Sequence, residues 1–219
     1  MRLSILAAFL LAQGAWADTI VTSLSGGTSG AEEGLWVVSW TQNGTYTDVT
    51  IGANIAVENG NPSEEATGTA FLMTQIGTGT TSAEEIATGA VTVKGNPGLN
   101  NMTTIFSDLS LGPGTYYLVI DPSSVNQISS MDWDAAGTPT QTLGIGVSDV
   151  MAFSATTTNA SFAPANTFTT GQLTPIFSVT GTPGTTTSAT PEPSTTIFTV
   201  CGLAALAFAR KFVARRSQS

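Results

Sequence analysis

The sequence predicts an all-β fold, an antiparallel β-sandwich of jelly-roll-like order, followed by a single C-terminal transmembrane helix. Three observations carry this expectation. Apolar residues recur at period two: Trp36, Val38 and Trp40 share one face. Val49, Ile51, Ala53, Ile55 and Val57 share another, with Thr50, Gly52, Asn54 and Ala56 opposite. Period two is that of a pleated strand buried on one side. Turn chemistry punctuates these runs at Asn43-Gly44, Asn59-Gly60-Asn61-Pro62, Gly95-Asn96-Pro97-Gly98 and Gly112-Pro113-Gly114. Between the two ends of the chain, no stretch sustains apolar spacing at the helical period.

Taken in order, residues 1–17 read as a secretory signal peptide. Arg2 is a short basic start, residues 3–12 are an apolar run, and Ala15-Trp16-Ala17 has the small residues of a cleavage site, Ala15 and Ala17. The mature chain is therefore expected to begin at Asp18, with its extracytoplasmic domain over residues 18–180. Strands are expected over residues 35–41, 49–57, 69–76, 90–93, 103–111, 115–120, 128–133, 142–153 and 175–180. Short strands at such spacing read as a sandwich or barrel. The near-continuous apolar runs 69–76 and 115–120 suit central strands. The stretch Leu109-Ser110-Leu111-Gly112-Pro113-Gly114-Thr115-Tyr116-Tyr117-Leu118-Val119-Ile120 resembles the penultimate hairpin of many exported bacterial sandwiches, a likeness that bears on fold alone. Residues 181–190, rich in Thr, Ser and Gly, have nothing to bury and read as a solvated stalk.

Residues 191–219 hold the most specific signal. Pro191 and Pro193 fix φ and forbid helix, holding Glu192 in an extended, readable segment. The apolar run 197–209 reaches only about 20 Å as a helix. Counting about 195–214 gives a bilayer length if Arg210 and Lys211 snorkel to the interface. Arg210, Lys211, Arg215 and Arg216 form the basic stop that keeps this end cytoplasmic and the large domain outside. A Pro-Glu-Pro motif, an apolar helix and a basic tail, in that order, resemble the PEP-CTERM sorting domain of bacterial exported proteins. The resemblance covers only about residues 190–219. It implies a Gram-negative host, an exosortase as partner, transient anchoring in the inner membrane, and delivery to the cell surface or beyond, often alongside exopolysaccharide in a biofilm matrix.

Composition narrows the rest. Between Asp18 and Thr190 there are 14 acidic residues against Lys94 alone. Nucleic acid is thus an unsuitable partner, because its binding relies on cations meeting phosphate. The chain has no histidine, which removes Ser-His-Asp and Cys-His sites and His-ligated metals. Its one cysteine, Cys201, lies in the apolar run, so the domain has no disulfide.

Among candidate sites, Asp132-Trp133-Asp134 leads. On a strand both carboxylates project to one face and the ring to the other. The plain expectation is a core Trp133 with hydrated aspartates. Two sharper ones are a calcium site on Asp132 and Asp134, completed by loop carbonyls and Asp121 or Asp149, and Trp133 exposed as a stacking platform for a sugar. Calcium is the one cofactor considered. The pairs Glu32-Glu33, Glu64-Glu65 and Glu84-Glu85 are the only other acid pairs, and a glycosidase needs two carboxyls across a cleft with one pKa raised. They sit in loop-like surroundings, and no carboxylate of the domain has a visibly apolar neighbourhood. The function expected is a non-catalytic surface or matrix protein. A carbohydrate-binding module is the alternative, and a carboxylate-pair hydrolase the third.

Overall fold

The computed structural model describes residues 17–25, 29–32, 34–57, 63–95, 98–122, 131–155 and 160–184. Residues 1–16, Ala15 among them, and residues 185–219 with the Pro-Glu-Pro motif, apolar run and basic stop lie outside the described residues. Among the described residues no helix is long and apolar enough to cross a membrane.

The fold is all-β with antiparallel sheets, consistent with a β-sandwich. In chain order the strands are β1 (Asp18–Ser25), β2 (Ser29–Glu32), β3 (Leu35–Gln42), β4 (Tyr46–Ala53), β5 (Ile55–Val57), β6 (Glu65–Met73), β7 (Glu85–Lys94) and β8 (Thr103–Leu111). They continue as β9 (Gly114–Asp121), β10 (Met131–Ala136), β11 (Pro139–Leu143), β12 (Val147–Ala155), β13 (Thr169–Thr170), β14 (Thr174–Pro175) and β15 (Phe177–Pro183). One sheet has the order β11-β1-β15-β4-β8, the other β13-β12-β3-β9-β6-β7. A smaller third group centres on β10, flanked by β14, β2 and β5.

The core forms where the period-two faces of the two large sheets meet. Val49, Ile51, Ala53, Phe177 and Val179 from the first join Trp36, Val38, Trp40, Ala70, Leu72 and Leu118 from the second in one buried cluster. Trp40 lies at its centre, its ring 5.6 Å from that of Tyr116 and 6.2 Å from that of Phe177. The six-stranded sheet is also covered on its outer face. Leu35, Val37, Met73 and Val119 form a second cluster there, closed by Ala163, Phe162 and Phe168 of the segment following β12. This second layer is why β3 and β9 are apolar on both faces, and β9 and β6 are central strands as their apolar runs suggested.

Several elements differ from the sequence reading for identifiable reasons. Residues 109–120 are not a hairpin: β8 bonds β4 in one sheet while β9 bonds β3 and β6 in the other, so Gly112-Pro113 arches over the core. Residues 142–153 are two strands in different sheets, broken at Gly144-Ile145-Gly146. Gly146 has φ +72, and a Cβ on Gly144 would lie 2.5 Å from the Thr19 carbonyl oxygen. Residues 49–57 keep one face inward throughout but change sheet at Asn54. β1 escaped notice because its register shifts between Thr19 and Val21, so that Ile20 and Val21, adjacent in sequence, are both fully buried.

The same device recurs three times with one local sequence. In Tyr46-Thr47-Asp48-Val49, Phe106-Ser107-Asp108-Leu109 and Val147-Ser148-Asp149-Val150 the register shifts, and the aspartate has a positive φ of 52, 58 and 55 respectively. Each aspartate accepts a hydrogen bond from the preceding hydroxyl, at 3.2, 3.1 and 2.8 Å. The extra residue keeps apolar side chains inward at positions i and i+3 while the polar pair faces out, as β-bulges do. Left-handed backbone tolerates Asp and Gly but not β-branched residues. Asp149→Gly should therefore be near neutral, while Asp149→Val should lose about 1–2 kcal/mol, read as a shift in the urea midpoint.

Candidate functional site

Asp132, Trp133 and Asp134 lie on β10, and the topology explains why this strand is buried along its whole length. The β4–β5 and β14–β15 segments run side by side until Asn54 and Ile176, where the Asn54 N–H donates to the Ile176 carbonyl at 3.0 Å. There they diverge. β10 lies across the split, pairing first with β5 and then with β14 along one edge, and with β2 along the other. Asp134 sits at the junction: its N–H donates to the Asn54 carbonyl at 3.0 Å, and its carbonyl accepts from the Ile176 N–H at 2.8 Å.

Trp133 belongs to the main core, 2% exposed, and its indole N–H donates to the Ile176 carbonyl at 2.9 Å. Its ring is closed in, which corrects the stacking-platform expectation: a sugar needs an open ring face. No aromatic ring among the described residues is exposed. The plain expectation holds for the tryptophan but not for the aspartates. Asp132 and Asp134 are buried, at 4% and 8% exposure, where hydrated carboxylates were expected.

Strand register adds a residue that sequence reasoning missed. Asp132 stands opposite Ala56, and continuing the register puts Asn54 opposite Asp134, on the face turned away from Trp133. Asn54 is fully buried, and its amide donates to the carbonyls of Gly98 at 3.0 Å and Asn101 at 2.6 Å. Those two bonds fix its orientation, and they leave Oδ1 buried without a protein donor. The only sequence signal was a polar residue on the solvent side of an alternating run, which ordinarily means exposure.

Burial pushes the Asp134 carboxyl above its ordinary value, contrary to the expectation that no carboxylate here has surroundings able to do so. A raised folded pKa means that this group stabilises fully below its unfolded pKa, and that the contribution is lost as pH rises through the folded value. Asp134→Asn should therefore raise the melting temperature at about pH 7 relative to the parent chain, the gain shrinking toward about pH 4. Thermal melts of both chains across that range measure it.

As a metal centre the cluster is sparse. Calcium takes six to eight oxygens, and among the described residues no three His, Cys, Asp or Glu side chains gather where they could hold a metal ion. Asp149 is exposed on its β12 bulge beside the Asn43 turn, while β10 lies at the other end of β4. Asp121 ends β9 near Met131: a Cβ on Gly68 would touch both the Asp121 carbonyl and the Met131 sulfur. Two buried carboxylates and one amide oxygen are what this face offers a cation. In the same series of melts, millimolar calcium should leave the melting temperature unchanged. A rise abolished by Asp132→Asn with Asp134→Asn would instead establish a site.

Of the other acid pairs, Glu64-Glu65 and Glu84-Glu85 are at least partly exposed. Glu84 caps a short 3-10 turn, its carboxylate accepting from the Thr81 N–H at 2.8 Å and hydroxyl at 2.9 Å. These bonds hold its pKa below the ordinary value, the reverse of what a general acid needs. Glu65 is exposed and Glu64 half-buried, while Glu33 lies outside the described residues. Comparison with known proteins finds no matching family model, no matching curated protein and no matching solved structure.

Proposed function

We propose that this chain is an exported, non-catalytic surface or matrix protein, sorted through a C-terminal signal of PEP-CTERM type and processed there by an exosortase. The observation that carries the reading is the order Pro191-Glu192-Pro193, apolar run, Arg210, Lys211, Arg215 and Arg216 in the sequence. Two features of the fold support it. β1 begins at Asp18, the first residue after the Ala15-Trp16-Ala17 cleavage site, and pairs with β15, so the two ends of the folded unit close against each other. That unit closes by Gly184, ahead of the segment with the sorting motif. The jelly-roll-like order belongs to the same proposal, supported by the repeated crossing of consecutive strands between the two large sheets.

The non-catalytic reading rests on chemistry. The domain offers no histidine, a single lysine and no arginine. Asp134, whose carboxyl has a raised pKa, is buried on a strand paired along both edges, with β2 on one and with β5 and β14 on the other. Among the described residues no exposed aromatic face supports the carbohydrate-binding alternative, so exopolysaccharide is proposed as surroundings rather than as a docked ligand. Intact mass of the surface form tests the sorting. A chain beginning at Asp18 and ending near Pro191–Pro193 is expected from cells with an active exosortase; recovery of the chain through Ser219 would overturn the proposal.

A further inference from the structure

Among the described residues seven strands end the three sheets, and six of them, the three-residue β5 included, are blunted in recognised ways. β13 and β14 have two residues each and β2 four, while β11 is short and opens on Pro139. β8 is long but carries the exposed, left-handed Asp108 at its bulge. Short edges, proline, bulges and charges are the devices that stop sheet edges from pairing with other chains.

β7 has them only at its two ends, in Glu85 with its adjoining bulge and in Lys94. It is a ten-residue strand whose only strand partner among the described residues is β6, and its one register irregularity lies at its very start. Ile86-Ala87-Thr88-Gly89-Ala90-Val91-Thr92-Val93 contains no charge and no proline in a chain of net charge −9. Val91 and Val93 anchor it in the core, while Ile86, Thr88, Ala90 and Thr92 line its exposed face.

We infer that the free edge of β7 joins two copies of this chain, β7 against β7, antiparallel. The charge pattern selects this occupant. Glu84 and Glu85 stand at one end of the strand, and Lys94, the only cation between Asp18 and Thr190, at the other. Antiparallel self-pairing sets the Lys94 end of each copy beside the acidic end of the other, twice over. Elsewhere the acidic surface repels a second copy. Such pairing is two-fold symmetric, the commonest closed arrangement of identical subunits, and its main-chain hydrogen bonds would extend the six-stranded sheet across the pair. Lys94 also stands opposite Glu65 of its own β6, so its charge is shared between that neighbour and the partner.

Any symmetric register centred on Gly89 or Ala90 brings residue 90 of one copy near residue 90 of the other. In the full chain in detergent, with Cys201→Ser as background, Ala90→Cys should form a disulfide-linked dimer under mild oxidation. It should do so at least about tenfold faster than the control Ser110→Cys on β8, because only close Cβ atoms can be bridged. Adding Thr88→Lys should abolish the dimer while the far-UV circular dichroism stays that of the parent. Lys94→Glu should slow it, and combining Lys94→Glu with Glu85→Lys should restore the rate. Equal crosslinking at residues 90 and 110 would assign association to another part of the chain and overturn the inference. So would a monomeric Ala90→Cys chain, or a dimer indifferent to Thr88→Lys. Should Thr88→Lys fail to fold, the comparison of residues 90 and 110 decides alone.

Discussion

Trp133→Ala is expected to remove about 3–5 kcal/mol from the stability of the domain, the range for deleting a large buried aromatic. Small domains have only about 5–15 kcal/mol in total, so the variant should be mostly unfolded near its former melting temperature. Two losses combine. The ring leaves a hole in the main core beside Met131 and Ile55, and the Ile176 carbonyl keeps the Asn54 N–H but loses the indole donor at the point where β10 crosses the diverging strands. Trp133→Phe separates them: it keeps most of the apolar contact and removes only the indole hydrogen bond, at about 0.5–1.5 kcal/mol. Urea titration of the three chains measures both. A tryptophan serving as a surface platform would behave differently, its alanine variant staying within about 0.5 kcal/mol of the parent.

Gln42→Leu should be the second severe change, on the order of 3 kcal/mol, although it swaps one buried side chain for another of similar size. Gln42 is 1% exposed and holds the end of the sandwich opposite β10. Its Oε1 accepts from the Trp40 indole at 3.1 Å, and its amide donates to the carbonyls of Gly44 at 3.2 Å and Gly112 at 3.0 Å. It thereby ties the Asn43-Gly44 turn to the Gly112-Pro113 arch, across the two large sheets. The Gly112 carbonyl keeps the Tyr116 hydroxyl, at 2.7 Å, so the indole N–H and the Gly44 carbonyl bear most of the loss. A lowered urea midpoint with an unchanged m-value would identify lost stability rather than a changed unfolded state.

Strands were legible where one periodicity ran uninterrupted. Trp36, Val38 and Trp40 reported β3, and residues 103–111 gave β8 to the residue, because alternating burial writes itself into side-chain type. The phase was lost at bulges. Ile20 beside Val21 and Val147 beside Ser148-Asp149 show apolar positions one step out of period, which a reading based on alternation discards. Sheet membership was hidden for another reason: a turn such as Gly112-Pro113 looks alike whether it closes a hairpin or arches over a core, and only distant partners decide. The Asp132-Trp133-Asp134 cluster was visible as a residue set, and its tryptophan was correctly expected inside. The burial of the two carboxylates was not visible, because it depends on where β10 lies in the fold, paired with β2, β5 and β14 from three separate parts of the chain.

The position of β15 has a mechanical consequence. This last strand lies between β1 and β4 and is bonded along both edges, and the chain continues from it past Gly184. Force transmitted from beyond residue 184 pulls along the strand axis, so both ladders are loaded in shear and their hydrogen bonds share the tension. An edge strand pulled sideways would instead open one bond at a time. The domain is thus built to resist traction applied at its C-terminal end.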